Sequence, residues 1–386
     1  MLTTDPQKVY NGISKCLQPE VEKAWNNMRV IGKTKDIQDF IVNAIPDHPK
    51  NVVAHSATKF GLTRQAINRH INSLIKQGLV QADGNTNQRT YKLPILEQKS
   101  VSVSLTNLEE DRFWRENVGE LLKHLPQNVY NIWHYGFTEM VNNAVDHSGG
   151  TTLKIILEKT AATTNMMIID NGVGIFRKIK TELGLEDERH AILELAKGKL
   201  TTDPLRHTGE GIFFSSRIFD HYHILSGGVF FTHNIDEEED WILERDIPNE
   251  GTVVFMSIRN QSDRTTKEIF DKFSSRKDDY GFTKTVVPVR LAKHGPEQLI
   301  SRSQAKRLLA RFERFRVVLL DFRGIDEIGQ AFADEVFRVY PEVHPEVKLI
   351  PINTTKEVKK LIKRAKQAGR ELTLPLFSTE QTKKEE

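Results

Sequence analysis

The sequence predicts a multidomain protein that joins an α+β unit to a smaller α/β unit, with a short helical module and hairpin in front. Three observations predict it. The chain has 386 residues, more than a single hydrophobic core ordinarily serves. Between about residues 99 and 260, helical patterns give way to a run of strand-like segments separated by turn residues. From residue 283 onward, strand-like and helix-like segments alternate. Hydrophobic residues make up 38% and charged ones 28%, which is the balance of a chain with real cores rather than a disordered one. No apolar run approaches the roughly 20 residues that span a bilayer, and the N-terminus lacks a signal-peptide core, so no membrane partner is expected. Cys16 is the only cysteine, which excludes an intrachain disulfide and a cysteine-built zinc site. A reducing, cytoplasmic location is expected. The net charge of +3 is too small to indicate a partner; the distribution of charge says more.

In the first module, Ile37, Phe40, Ile41 and Ala44 have helical spacing, and "DHP" at 47–49 closes that helix. "NVVAHSATKFG" and "LTRQAINRHINSLIKQGLV" read as two helices joined by a tight turn at Gly61-Leu62. Thr63 is placed to cap the second, whose apolar face is Ile67, Ile71 and Leu74, and Gly78 ends it. "VQADGNTNQRTYKL" alternates around Asp83-Gly84, a hairpin signal. Two helices, a turn and a hairpin resemble the winged helix-turn-helix family over about 60 residues. The resemblance implies DNA as a partner. Thr63, Arg64, Gln65, Asn68 and Arg69 face away from the apolar stripe and are types that bond base edges and phosphates. Arg89, with Asn85 and Asn87, lies on the hairpin. From 48 to 92 the basic residues are Lys50, Lys59, Arg64, Arg69, Lys76, Arg89 and Lys92, against the single acid Asp83. Winged helices also serve as protein-interaction or dimer modules, and that alternative stays open.

Residues 94–108 look extended, and an amphipathic helix is expected from about Glu109 to His124, then another from near Gln127. "TTLKIILEK" and "NMMIID" read as strands, followed by a mixed insert over 172–207 and strands near 222–232, 240–246 and 252–259. "NQSDRTTKE" (260–268) marks a linker region. Beyond it come "KTVVPVRLA", a helix from about Ser303 to Phe315, "RVVLLDF", a helix from about Gln330 to Tyr340, "VKLIPIN" and a basic helix over 355–367. Ser301 and Ser303 lie near a helix start and read as caps. The expected domains are 1–98, 99–260, a linker over 261–282, 283–377, and a disordered tail at 378–386.

The helix containing "FTEMVNNAVDHS" (137–148) is unusual. Phe137, Val141 and Val145 form a buried stripe, while Glu139, Asn143, Asp146 and His147 stack on another face. It is followed in order by "DNGVGI" (170–175), "TGEGI" (208–212) and "EGTVVF" (250–255). A glutamate and an asparagine four apart are ordinarily surface residues, and "DNG" alone is ordinarily a turn. It is the four segments in one order that resemble the GHKL (histidine kinase-like, Bergerat) ATPases, across roughly residues 105–259.

The resemblance implies an α/β sandwich with a mixed, mostly antiparallel sheet under helices, and ATP with Mg²⁺ as cofactors. It implies Asn143 as the Mg²⁺ ligand, since an amide oxygen coordinates without adding charge, and Glu139 as the catalytic carboxylate that positions or deprotonates a nucleophile. His147, one turn beyond Asn143, would lie toward phosphate, with Asp146 as a neighbour that orients it. Asp170 would accept from the adenine amino group, with Gly172 and Gly174 allowing close backbone approach and Thr252 helping to hold the base. Thr208, Gly209 and Gly211 would cradle phosphates at a helix N-terminus. Residues 176–207 match the family's mobile lid, and its Lys197 and Lys199 either reach phosphates or are solvated. Glu210 departs from the family, whose kinases commonly have a hydrophobic residue between those glycines.

"VVLLDFRGIDEIGQAFADEVF" resembles the STAS-type domains of anti-sigma-factor antagonists, in which a serine at the helix start is phosphorylated. Here Ile328-Gly329-Gln330-Ala331 offers no hydroxyl, so the resemblance implies a STAS-like module that meets a protein partner or senses a signal. The functional expectation is an ATP-binding, ATP-hydrolysing protein acting as a nucleotide-controlled DNA-binding regulator, with a homodimer left open. The alternative is an anti-sigma-type serine/threonine kinase acting on a separate partner. A histidine kinase is disfavoured, because His124 and His134 do not sit in a two-helix phosphoacceptor hairpin.

Overall fold

Apolar side chains recurring every three or four residues close a first core. In the computed structural model, residues 34–44 form helix α1, Val52–Phe60 α2 and Arg64–Lys76 α3. The structure describes residues 34–84, 89–200, 209–234, 239–244, 250–274, 281–293 and 298–372. These fall into two units: one holds the described residues through Lys99 with Glu158–Thr164, the other Ser100–Leu157 with Asn165 onward. Taken whole, the chain is a multidomain mixture of helices and sheets.

In the first unit, Gly61 ends α2 in the left-handed region (φ 62°), which a side chain would resist. Thr63 then caps α3, its hydroxyl oxygen accepting from the Ala66 N–H at 3.2 Å. Ile67, Ile71 and Leu74 are buried against Ile37, Ile41, Val52 and Val80. Strands β1 (Gln81–Asp83) and β2 (Thr90–Lys92) pair antiparallel, and Tyr91 from β2 joins the same core.

A seven-stranded sheet lies mainly in the second unit. Its strands are β3 (Glu97–Ser104), β4 (Thr152–Lys159), β5 (Thr163–Asp170), β6 (His221–Ser226), β7 (Val229–Asn234), β8 (Glu239–Glu244) and β9 (Thr252–Arg259). The spatial order is β3-β4-β5-β9-β6-β7-β8, and β6 pairs antiparallel with both β7 and β9. The single strand expected over 222–232 is two strands. Gly227 and Gly228, at φ 59° and 83°, form a two-residue turn of the kind that twists with a hairpin, and β6 folds back on β7.

Helix α4 starts at Glu110–Trp114 and continues through a wide turn at Arg115–Gly119 to Glu120–Leu122. Helix α5 (Gln127–His147) buries Trp133, Phe137, Met140 and Val141 in the core that covers the sheet. Gly136 is required there: a Cβ would meet the Phe219 ring at 2.5 Å. Within the expected insert, α6 (Ile175–Leu183) and α7 (Glu188–Lys197) form, and α8 (Gly211–Ile218) follows. The expected linker contains helix α9 (Thr266–Phe273), held by a Thr265/Glu268 capping box; its Phe270 ring packs on Phe214 at 4.4 Å.

The C-terminal part carries a parallel sheet, β10 (Lys284–Pro288), β11 (Val317–Asp321) and β12 (Lys348–Ile352), in that order. Helix α10 (Arg302–Leu309) connects β10 to β11. Helix α11, which runs from Gln330–Asp334 through a wide turn at Glu335–Val339 to Tyr340–Val343, connects β11 to β12. Helix α12 (Lys356–Leu372) follows. The helix expected to reach Phe315 stops at Leu309, because Arg311 takes a left-handed conformation (φ 67°) and the chain resumes as one tight turn at Phe312–Arg314. Ser301 is the cap of α10, accepting from the Gln304 N–H at 3.2 Å, and the Ser303 hydroxyl bonds to that of Ser301. The core of this part is continuous with Leu193 of α7 and Phe213 and Phe214 of α8.

Candidate functional site

One cavity of about 270 Å³ opens between the polar face of α5 and the sheet. Stacking at i, i+4 and i+8 turns Glu139, Asn143 and His147 toward it, because α5 must turn Phe137 and Val141 the other way, into the core. Asp170 at the end of β5, Thr252 at the start of β9 and Gly209, Glu210 and Gly211 at the start of α8 complete the wall, with Ile168, Ile175 and Val254 as its apolar part.

Asp170 is 8% exposed. Its Oδ1 accepts from the backbone N–H of Gly172 at 2.8 Å and of Thr252 at 3.3 Å. Burial pushes its carboxyl above the usual carboxylate range, against the pull of those bonds. The Thr252 hydroxyl oxygen accepts from the Ile175 N–H at 3.1 Å, tying β9 to the start of α6. Gly174 turns the chain at φ 88° between strand and helix. Gly172 lies so close to Ser148 that a Cβ would meet its carbonyl oxygen at 2.2 Å. These two glycines shape the wall from behind rather than lining it. At the opposite wall, a Cβ on Gly211 would meet Glu139 Oε2 at 2.0 Å, so only glycine lets the start of α8 reach that carboxylate.

Asp146 is exposed and is not part of the lining. It lies about 100° round α5 from His147, which turns its side chain to solvent. Thr208 lies outside the described residues, as do Asn85, Asn87, the segment before residue 34 and the tail at 378–386. Sequence reasoning missed Lys178, whose Nζ donates to the His147 carbonyl at 2.8 Å and which lines the cavity. Its signal was available: it lies one turn into the helix that "DNGVGI" opens. Glu210 does line the cavity, beside Gly209 and Gly211. Among the described residues, no group of three or more His, Cys, Asp or Glu side chains is placed to hold a metal ion.

In the first unit, Arg64, Gln65 and Arg69 of α3 are exposed, and Asn68 is half-buried. Thr63 is exposed and its hydroxyl oxygen caps the helix. Arg89 lies over the Tyr91 ring at 5.5 Å, on the hairpin. Asp83, the one acid of the stretch, is paired with Lys92 at 2.7 Å.

The part that holds β11, ending in buried Asp321, with α11 and β12, has a counterpart among known proteins. Residues 304–359 match the model of a STAS-like domain of unknown function (DUF4325). They form a STAS-like domain. No curated protein matches the chain. Among the described residues, no helix is long and apolar enough to cross a membrane.

The STAS-like domain is fastened to the segment that enters the cavity wall. Lys197, expected to meet phosphate or solvent, does neither: it is 1% exposed and pairs with Glu194 at 2.6 Å. Its Nζ also donates to the carbonyls of Arg307 and Ala310, at 3.2 and 2.9 Å. Burial pulls the Lys197 ammonium below its ordinary range, while the Glu194 carboxylate opposes that. Burial pushes Glu194 up, but His190, Lys197 and Arg311 together hold it below the usual range. Lys199 likewise turns away from the cavity, donating to the Arg314 carbonyl at 3.0 Å and lying over the Phe315 ring. Arg311 and Arg314 return bonds to the Lys199 carbonyl. The next residue, Leu200, lines the cavity, and its N–H bonds to the Gly209 carbonyl at 3.1 Å.

Proposed function

We propose that the cavity binds ATP with a divalent cation, and that the chain is a nucleotide-controlled DNA-binding regulator built on a GHKL-type ATPase unit. The observation that carries this reading is that residues from four separated segments, 137–148, 170–175, 209–212 and 250–255, line a single cavity. Each contributes what a nucleotide needs at a different point. Asp170, buried and acceptor-only when ionised, suits an exocyclic amino group; a carbonyl in that place would be repelled. The amide oxygen of Asn143 suits a hard cation, which would take its other ligands from phosphate and water, since the described residues offer no carboxylate or imidazole cage. The backbone at Gly209 and Gly211 opens α8, a site suited to anions.

When bound, the nucleotide supplies the terminal phosphoryl group that is transferred to water. Glu139, across from Gly211, is the group within reach to hold and take the proton of that water. Glu210 adds negative charge to the same wall, so the cation has two carboxylates to offset there as well as the polyphosphate.

The winged-helix reading of the first unit rests on its helix pair and hairpin and on the exposed Arg64, Gln65 and Arg69. Regulation requires that nucleotide stabilise one arrangement of the chain over another, since equal affinity for both shifts nothing. Asp170→Ala is expected to weaken ATP binding about ten- to a hundredfold. Glu139→Ala is expected to abolish release of free phosphate while binding persists. Label appearing on a partner protein instead of free phosphate would favour the anti-sigma-type kinase. Unchanged affinity in Asp170→Ala, measured by calorimetry, would overturn the site. Duplex binding that is identical with and without ATP would overturn the regulator.

A further inference from the structure

We propose that helix α12 of the C-terminal part is a second nucleic-acid surface, one that grips the phosphate backbone without reading sequence. The family match ends at residue 359, so most of this helix lies outside it. One face of α12 is spent on folding: Val358, Ile362 and Ala365 are buried in the core. The rest carries Lys356, Lys359, Lys360, Lys363, Arg364 and Lys366, all exposed, and between residues 356 and 366 the one acid is Glu357. At 1.5 Å per residue these cations extend over about 15 Å.

Three observations separate this row from an ordinary solvated face. Four other helices neutralise a cation one turn away, in Arg112–Glu116, Lys178–Glu182, Lys267–Asp271 and Arg338–Asp334. On α12, among the described residues, none of the six enters an ion pair. Instead Lys356–Lys360, Lys359–Lys363 and Lys360–Arg364 set like charges four apart, which weakens a helix. Lys356 and Lys359 also occupy the first turn, where the helix dipole disfavours cations. The row therefore costs stability, and an external polyanion is what would offset it.

The chemistry selects nucleic acid. A membrane-surface helix needs an apolar face to insert, and the one on α12 is already used by the core. A protein partner would be held by aromatic or apolar anchors, and the exposed face has none. A duplex presents one charge per about 1.7 Å of axis, which a row of cations meets without further requirement.

The test uses the full chain and a duplex of arbitrary sequence, titrated across salt concentrations. One variant carries Lys359→Gln, Lys360→Gln, Lys363→Gln and Arg364→Gln; a second carries Arg64→Ala and Arg69→Ala. Because the four glutamines replace exposed groups, the first variant is expected to melt like the parent. The log–log salt slope should fall by about 0.9 for each lost phosphate contact, up to about 3.6, with affinity at low salt reduced at least tenfold. The second variant should keep that share of the slope, so loss of binding through α3 alone leaves this inference standing. Parental slope and affinity in the four-glutamine variant would overturn it. So would a parent that binds no duplex, or one that binds anionic vesicles through these residues while its duplex slope is unchanged.

Discussion

At the scale of single residues, Asp170 sets the pH behaviour of the proposed site. Burial raises its carboxyl above the ordinary range, so the folded chain takes up a proton at a pH where the unfolded chain would still be ionised. The sign for the empty protein follows: Asp170 favours folding least above the raised value and costs nothing below the unfolded one. An amino group donating to the carboxylate needs the ionised form. ATP affinity should therefore fall as pH drops from neutrality through the raised value. Asp170→Asn should bind weakly at every pH and lose that dependence, which calorimetry across pH would read. Asp170 was legible in the sequence because an acid ending an apolar strand before Asn171-Gly172 needs a reason. Lys197 was not. Nothing in "ELAKGKL" distinguishes a lysine that meets solvent from one that is 1% exposed and bonded to two carbonyls of a distant helix end.

At the scale of elements, the contact between the start of α8 and α5 depends on one missing carbon. Gly211 has an ordinary helical backbone, so alanine is tolerated by the chain itself. Its methyl would nonetheless fall 2.0 Å from Glu139 Oε2 and 2.8 Å from Cδ, and the carboxylate, being the far end of a flexible side chain, would swing away. Gly211→Ala is expected to change the unfolding free energy by less than about 1 kcal/mol. Phosphate release should fall about 10²- to 10⁴-fold, the loss expected when a general base is displaced. A melt and a phosphate assay on the same preparation separate the two effects.

Helices with a single apolar stripe, such as α3 and α5, were legible to within a residue or two, because burial of Ile67, Ile71 and Leu74, or of Phe137 and Val141, needs that spacing. The β6–β7 turn at Gly227-Gly228 was missed because flanking apolar residues made one long strand of two. The break at Arg311 had no glycine to announce it.

At the scale of the molecule, the core of the C-terminal sheet extends to Leu193 of α7 and to Phe213 and Phe214 of α8, and a buried ion pair fixes the seam. Removing one partner of such a pair leaves the other charge stranded. Lys197→Met should destabilise the second unit by about 3–5 kcal/mol in denaturant unfolding. Adding Glu194→Gln to it should recover much of that, since neither group then carries an uncompensated charge. The division into modules was partly legible, because alternation of strand and helix patterns after residue 283 needs no tertiary information. That Lys197 and Lys199 would face the STAS-like domain was not, because the partners are main-chain oxygens, which every residue has.

That seam has a mechanical consequence. The strap from Lys197 to Leu200 is nailed at one end to the STAS-like domain and hooked at the other to Gly209 on the rim of the cavity. Only Gly198 and Lys199 separate Lys197 from Leu200, so the anchor on the STAS-like domain and the rim of the cavity are near neighbours along the chain.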